Sequence, residues 1–554
     1  MTYRALRLGV ALLGAASAIP LAAQTVSTGG APTSVLPQGA RNGVFVLDAY
    51  EGTLRVGPRL IAVAPDGTFS FPGGAPAFDP QTAVDARVFT VEAVGDRVVA
   101  GLGFADVTSD EDDPPATAAG FAVSDDDGAT WTFRFPALDT SQDTVVTVGE
   151  NVLRAVPASV PQGAAPLDLA MTADGDTIYA ANLLAGLRRS TDGGATWSRV
   201  VLPPDSLLVL DPRRPTDFVY SPDLRQPLGF VDGDRERPVF PSASTNFVSY
   251  SVLVDEAGTV WAGSLGGLNR SVRLDGVEDL AWLRYIDSPL GGGPVGNWIY
   301  ALEAQPDPEG RDPIWAACWN SGEEATQDEE EFGVVVWRGD DQDGVAQFET
   351  VLLGVRVYDL AFDEGHVYAA SDDGLHISDD DGATWRVVRT FRSADGNLFP
   401  VRVDGENVDG RAARVSAVAT TPGTLWVGTA DGLLKSTDAG RTWELFRTNV
   451  TPASAPEADG RDVEVYAYPN PFNPRDGDVR IRLDLASASD VTVRVFDFGM
   501  NLVRTLEAPG RPAGPTEVAW DGLSEGGLRV ANGAYVYVVE AEGQTRSGRI
   551  LVLQ

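Results

Sequence analysis

Among its 554 residues the chain has one cysteine, two histidines and three methionines. Each shortage excludes something. Cys318 alone cannot close an intramolecular disulfide or build a thiolate metal cage. His366 and His376 are too few for histidine-rich metal chemistry, so neither a metal nor a cofactor is expected. No apolar run is long enough for a transmembrane helix. Positive charge is also scarce, with 42 Lys and Arg against 79 Asp and Glu, a formal net charge of −37. Such a chain repels nucleic acid and anionic membrane surfaces at long range, so no nucleic-acid partner is expected. Lys435 is the single lysine, and every other basic side chain is arginine. Two readings account for this equally: solubility in a saline medium, or arginine-favouring codon usage.

What is present is an ordinary globular composition, 43% hydrophobic and 22% charged, with ample material for a core. The 60 Gly and 37 Pro fall short of a collagen-like or disordered composition and indicate many short turns. Residues 1–24 read as a secretory signal peptide. Arg4 and Arg7 precede the apolar run Leu8 to Ala18, and small residues follow. Residues 25–40 form a Thr/Ser/Gly/Pro-rich lead-in, and residues 451–463, opening TPASAPEADGR, form an interdomain linker. The acidic stretches 109–116 and 322–331 read as solvated insertions between strands.

Between lead-in and linker, over 41–450, the pattern Ser-x-Asp-x-Gly-x-Thr-Trp recurs four times. The fixed positions are Ser124, Asp126, Gly128, Thr130 and Trp131, then Ser190, Asp192, Gly194, Thr196 and Trp197. They return as Ser378, Asp380, Gly382, Thr384 and Trp385, and as Ser436, Asp438, Gly440, Thr442 and Trp443. Strand-like runs ending in small residues precede each, such as IYAANLLAGLRR before Ser190. A similar lead-in, VWAGSLGGLNR, precedes a decayed copy at Ser271. The pattern reads as a hairpin turn. Ser and Asp accept backbone N–H groups, Gly supplies positive φ, and Thr-Trp opens the next strand. Spacings of 66, 81, 107 and 58 residues place units near 124, 190, 230, 271, 337, 378 and 436. Leu208–Pro222 would open the unit near 230, and Gly43–Phe71 would close the ring or add an eighth unit. The fold expected is all-β: a β-propeller of roughly seven blades, seven to eight, with a small C-terminal β-sandwich.

These boxes resemble the Asp-box (BNR) repeats of bacterial sialidases, sortilin-type receptors, xyloglucanases and photosystem assembly propellers. In those families the boxes are structural and lie away from the active site. A resemblance to sialidases would imply an arginine triad with a Phe/Tyr-Arg-Ile-Pro motif, and neither GPRLI (57–61) nor RAVP (154–157) supplies it. No tyrosine stands out as a nucleophile, and with 79 carboxylates no glycosidase pair can be singled out, so catalytic residues stay unassigned. Cys318, inside an apolar strand, reads as an inert buried thiol.

After the linker, residues 464–554 change to a compact sandwich pattern, clean in VTVRVF and AYVYVV. Strands are expected at Val463–Tyr468, Val479–Leu485, Val491–Phe496, Glu517–Trp520, Gly533–Glu540 and Ser547–Leu553. The module resembles the type A C-terminal sorting domains of the bacterial type IX secretion system and the Ig-like domain of flagellar hook-capping proteins. The resemblance rests on Pro469, Asn470, Pro471, Phe472, Asn473 and Pro474, on Trp520-Asp521-Gly522, and on Gly533 and Tyr535. It implies the type IX translocon as a partner and an outer-membrane-surface or extracellular location. The function expected is non-catalytic binding or scaffolding of an unknown extracellular ligand. The alternative is a glycan-cleaving hydrolase on the same propeller.

Overall fold

The computed structural model describes residues 46–57, 61–63, 69–70, 87–105, 116–222, 244–288, 292–307, 312–320, 330–363, 365–394, 398–399, 414–429, 432–446, 465–468, 470, 472, 474, 478–511 and 514–553. The expected signal peptide, lead-in and linker lie outside them, as do Pro469, Pro471 and Asn473. The described residues divide into two compact units, one within 44–389 and 412–429, the other within 390–411 and 430–554.

The first unit is built from antiparallel meanders. Sheets 1, 2 and 3 begin at Val46–Tyr50, Arg87–Val94 and Pro166–Met171. Sheets 4, 5 and 6 begin at Ser249–Val254, Trp298–Ala304 and Val357–Asp363. A seventh such strand is Val415–Thr421, paired with Thr424–Thr429. These first strands, termed axial below, pack each against the next in chain order, and Val415–Thr421 packs against Val46–Tyr50. The ring is closed, and the architecture is a β-propeller. Closure covers each sheet's faces with its neighbours and leaves only short strand edges at the axis and the rim.

Second strands show why the sequence accepts this packing. Ile178–Asn182, Val260–Ser264 and Ile314–Trp319 are buried at every residue, as strands covered on both faces must be. Their small residues admit the next axial strand. A Cβ on Gly101 would lie 2.7 Å from Thr90 Cγ2 and 2.8 Å from Pro166 Cγ, and one on Gly263 would lie 2.8 Å from the Ile299 carbonyl.

Most of the unit expected near 230 lies outside the described residues, and its expected opening strands pair elsewhere. Leu208–Pro222 opens no sheet of its own. Val209–Leu210 lines the edge of sheet 4, and Val219–Tyr220 pairs in parallel with Asn151–Ala155 in a small separate sheet. Pro212 and Pro215 interrupt the backbone donors there and keep both strands to two residues. Within Gly43–Phe71, the strands Val46–Tyr50, Thr53–Gly57, Ile61–Val63 and Phe69–Ser70 form sheet 1.

In the second unit, a three-stranded sheet (Val465–Tyr468, Val479–Leu485, Gly514–Trp520) and a four-stranded sheet enclose one core containing Trp520, Val493, Val495 and Tyr537. The four-stranded sheet runs in the order Leu502–Arg511, Ser489–Phe496, Gly533–Ala541, Gln544–Val552. Leu502–Arg511 was not among the expected strands. It is an edge strand, Pro509-Gly510 lies near its end, and it buries little besides Ala508.

Candidate functional site

The four Ser-x-Asp-x-Gly-x-Thr-Trp turns share one hydrogen-bond set. Each Ser Oγ donates to an Asp Oδ1 at 2.8–2.9 Å and accepts the Gly N–H at 2.8–2.9 Å. The Thr N–H donates to Asp Oδ1 at 2.7–2.8 Å, and the Thr hydroxyl to Oδ2 at 2.5–2.7 Å. Gly128, Gly194, Gly382 and Gly440 have φ of +75 to +85°, where a side chain would be strained. The tryptophans anchor the turns. Trp197 stacks on Phe121 at 4.6 Å, Trp385 Nε1 donates to the Val351 carbonyl of sheet 5, and Trp443 meets Phe391 edge-on at 5.0 Å. The Thr hydroxyls, first among several donors, hold the carboxyls of Asp126, Asp192 and Asp380 below the usual range, Asp192 down to about 2. Nothing reactive is arranged at these turns.

The axis carries a different set of side chains. Six axial strands slip register once, at Val88/Thr90, Pro166/Asp168, Ser249/Ser251, Ile299/Ala301, Val357/Asp359 and Val415/Ala417. A bulge re-aims the extra residue. Three of those extra residues, Tyr250, Tyr300 and Tyr358, come together. Tyr300 stacks on Trp319 at 4.0 Å and lies 5.8 Å from Tyr358, while Tyr250 lies 4.8 Å from Trp298. The Arg356 guanidinium covers Trp319 and Phe332, and that of Arg414 covers Tyr358 at 4.3 Å. Burial pushes the Tyr300 phenol up to about 12 and raises Tyr250 and Tyr358 as well, so all three stay neutral near pH 7. The sequence carried a faint trace of this cluster, a Tyr at one slot of SYSVL, IYALE and VYDLA.

The axial strands of sheets 1, 2, 3, 5 and 6 each carry a half-buried acid, Asp48, Glu92, Asp168, Glu303 and Asp359. Asp168 accepts the N–H groups of Leu169 and Val252 at 2.9 and 2.8 Å, and Asp359 those of Leu360 and Val418, both at 2.9 Å. Burial, partly countered by these donors, pushes Asp168 and Asp359 up to about 7. Asp48 also rises to about 7 by burial, against the pull of Arg55. Glu92 and Glu303 are raised well above the usual range too, through burial and then through their acidic neighbours. Sequence reasoning missed these five, because one acid in an apolar strand is inconspicuous among 79. Among the described residues no group of three or more His, Cys, Asp or Glu is arranged to hold a metal ion.

The remaining reactive groups are engaged in the fold. Cys318 is fully buried, and burial pushes its thiol up to about 12. His366 Nδ1 meets Asp363 at 2.7 Å, and His376 Nε2 meets Asp373 at 2.6 Å. In the C-terminal sandwich, Asn470 and Phe472 run along the last strand. Leu551 N–H donates to Asn470 Oδ1, Phe472 N–H to the Leu551 carbonyl, and Leu553 N–H to the Phe472 carbonyl. Phe472 packs on Trp520, Trp520 packs on Tyr535, and Pro474 abuts Gly522. Gly533 opens the strand carrying Tyr535, whose hydroxyl donates to the Ala531 carbonyl at 2.9 Å.

Residues 470–545 match the FlgD Ig-like domain family. No curated protein sequence matches the chain. Among solved structures, the chain is similar to PorZ, described as an essential surface component of the type IX secretion system of Porphyromonas gingivalis. That similarity is at 15% identity and TM-score 0.31, over 92% of this chain and 66% of that one. It is similar to a GH74 enzyme of Niastella koreensis at 11% identity and TM-score 0.46, over 94% and 74%. It is also similar to YCF48 of Cyanidioschyzon merolae at 16% identity and TM-score 0.39, over 72% and 96%.

Proposed function

We propose that the protein is an exported β-propeller with a non-catalytic binding or scaffold role at the outer-membrane surface or outside the cell. In this reading residues 41–450 form seven Asp-box-type blades, 451–463 a linker, and 464–554 a type A sorting domain addressed to the type IX translocon. The observation that carries it is the FlgD Ig-like match at 470–545, with Asn470 and Phe472 bonded along the terminal strand. The test is a fusion of 464–554 behind a signal peptide and a fluorescent protein, in a host with type IX secretion. Export beyond the outer membrane is expected. A fusion kept in the periplasm, while an established cargo domain is exported beside it, would overturn the reading.

A second reading, a glycan-cleaving hydrolase, is favoured by one observation. Half-buried carboxyls raised to about 7 are the groups a general acid requires, and Asp168 and Asp359 are of this kind. Against it, each already holds backbone N–H groups of two strands. Fluorogenic sialosides and β-glucan oligosaccharides, tested beside a glycan-binding array, separate the two: turnover favours the hydrolase, binding without turnover the scaffold.

A further inference from the structure

The axial strands of sheets 4, 5 and 6 and the seventh, Val415–Thr421, follow one another around the ring, and near their first residues they gather the aromatic cluster. The bulged residue is Tyr250, Tyr300 or Tyr358 in sheets 4 to 6, whereas sheet 3 has Leu167 at the same slot. The fold accepts a plain aliphatic side chain there, so three phenols are not a packing requirement. Ring centroids run on continuously. Tyr250 lies 6.4 Å from Tyr300, Tyr300 lies 5.8 Å from Tyr358, and Trp298 lies 4.9 Å from Trp319. Tyr250, Tyr300, Arg356 and Arg414 are half-buried, so each keeps some surface in solvent. Both arginines stand immediately before an axial strand and lay their guanidiniums on these rings. Two donors of the group are unmet: among the described residues, Trp298 Nε1 and Arg356 Nε are buried without a hydrogen-bond partner. The carboxyl that shares the field of both guanidiniums is exposed Asp372, while Asp373 beside it is taken up by His376 and Arg389.

We propose that this aromatic–arginine cluster is the ligand site of the propeller and that it takes an acidic saccharide, a sugar chain carrying carboxylates. The inference rests on the binding role proposed above and names the site and ligand class for it. A sugar ring offers an apolar C–H face, which an aromatic ring can cover, and a rim of hydroxyls. The rings of Tyr250 and Tyr300 supply the faces, and their phenols can both donate to and accept from the rim. A guanidinium is charged at every working pH, and its parallel N–H groups match the two oxygens of a carboxylate. One stacked on an aromatic ring keeps those in-plane N–H groups for an acceptor. Two such cations at one cluster are a local exception in a chain of net charge −37, and they select for a negative ligand. An extended peptide would instead need a strand edge to pair its main chain, and ring faces do not supply one.

The test is isothermal titration calorimetry of the full chain with trigalacturonate, its methyl ester and hexaglutamate. The acid sugar should bind, and the ester about tenfold more weakly, because its charge-assisted hydrogen bonds are lost. Arg356→Gln/Arg414→Gln, checked for folding by circular dichroism, should weaken the acid by a similar factor. Absent binding of the acid, equal binding of acid and ester, or tighter binding of hexaglutamate would overturn the proposal. Undiminished binding by the folded variant would overturn it too, while leaving the binding role itself standing. Should the variant not fold, phenylglyoxal modification of the wild type, read by peptide mass spectrometry, decides. Trigalacturonate must slow modification of Arg356 and Arg414 but not of Arg214, whose side chain is 82% exposed. Unchanged rates at the two cluster arginines would contradict the site. The fusion of 464–554 tests the export reading separately, so either can fail alone.

Discussion

Asp192 in a rim turn and Asp359 on an axial strand perform the same local task, accepting N–H groups from the main chain. Their acidities nevertheless lie about five pH units apart, near 2 and near 7. At the rim the carboxylate is open to water, so the donors stabilise its charge without opposition. At the axis burial outweighs the same donors, and neighbouring acids add to it. Hydrogen bonding alone therefore does not set the charge state of these aspartates; solvent access and like charges do. The signs of the two contributions to stability are opposite. Rim carboxylates stabilise the fold above about pH 4 and lose this as pH falls toward 2, while axial carboxyls stabilise it at low pH and lose this through about 7.

Substitutions sharpen the contrast between the regions. The largest effect is expected at the rim turn whose tryptophan is fully packed. Trp443, 3% exposed, should cost about 3–5 kcal/mol on replacement by alanine, and half-buried Trp385 clearly less. Chemical denaturation would measure both, and equal losses would break the proposed dependence on burial. At the axis, Asp359→Ala leaves the N–H groups of Leu360 and Val418 without their acceptor, at about 2–3 kcal/mol. At the rim, Asp438→Ala should cost about 1 kcal/mol, because water replaces much of what is lost. If the rim substitution proves the costlier of the two aspartate changes, the comparison fails. The smallest expected effect is that of salt. With a net charge of −37, raising NaCl from millimolar to molar should raise Tm near neutral pH, and a flat or falling curve would contradict charge self-repulsion.

The two regions also differ in how readily the sequence reveals them. A rim turn is written in eight consecutive residues, and four copies made the propeller fold and the repeat spacing readable. An axial clasp joins residues far apart in the chain, such as Asp168 and Val252, and no local pattern announces that meeting. The first sheet, 46–70, has no box to mark it, and the apolar content of the proline-broken 208–222 did not show that its short strands pair with sheet 4 and with Asn151–Ala155. In the sandwich, alternating strands such as Ser489–Phe496 were legible to within a few residues. Leu502–Arg511 was not, since an edge strand buries too little for alternation to appear.

The most direct measurement of the contrast between axis and rim is an infrared titration of the protein labelled with carbon-13 at its aspartate and glutamate carboxyls. The account predicts a protonated-carboxyl band that persists at pH 6, shrinks as pH rises past 7, and is weaker in Glu92→Gln/Glu303→Gln. A spectrum in which every carboxyl is already ionised at pH 6 would contradict it.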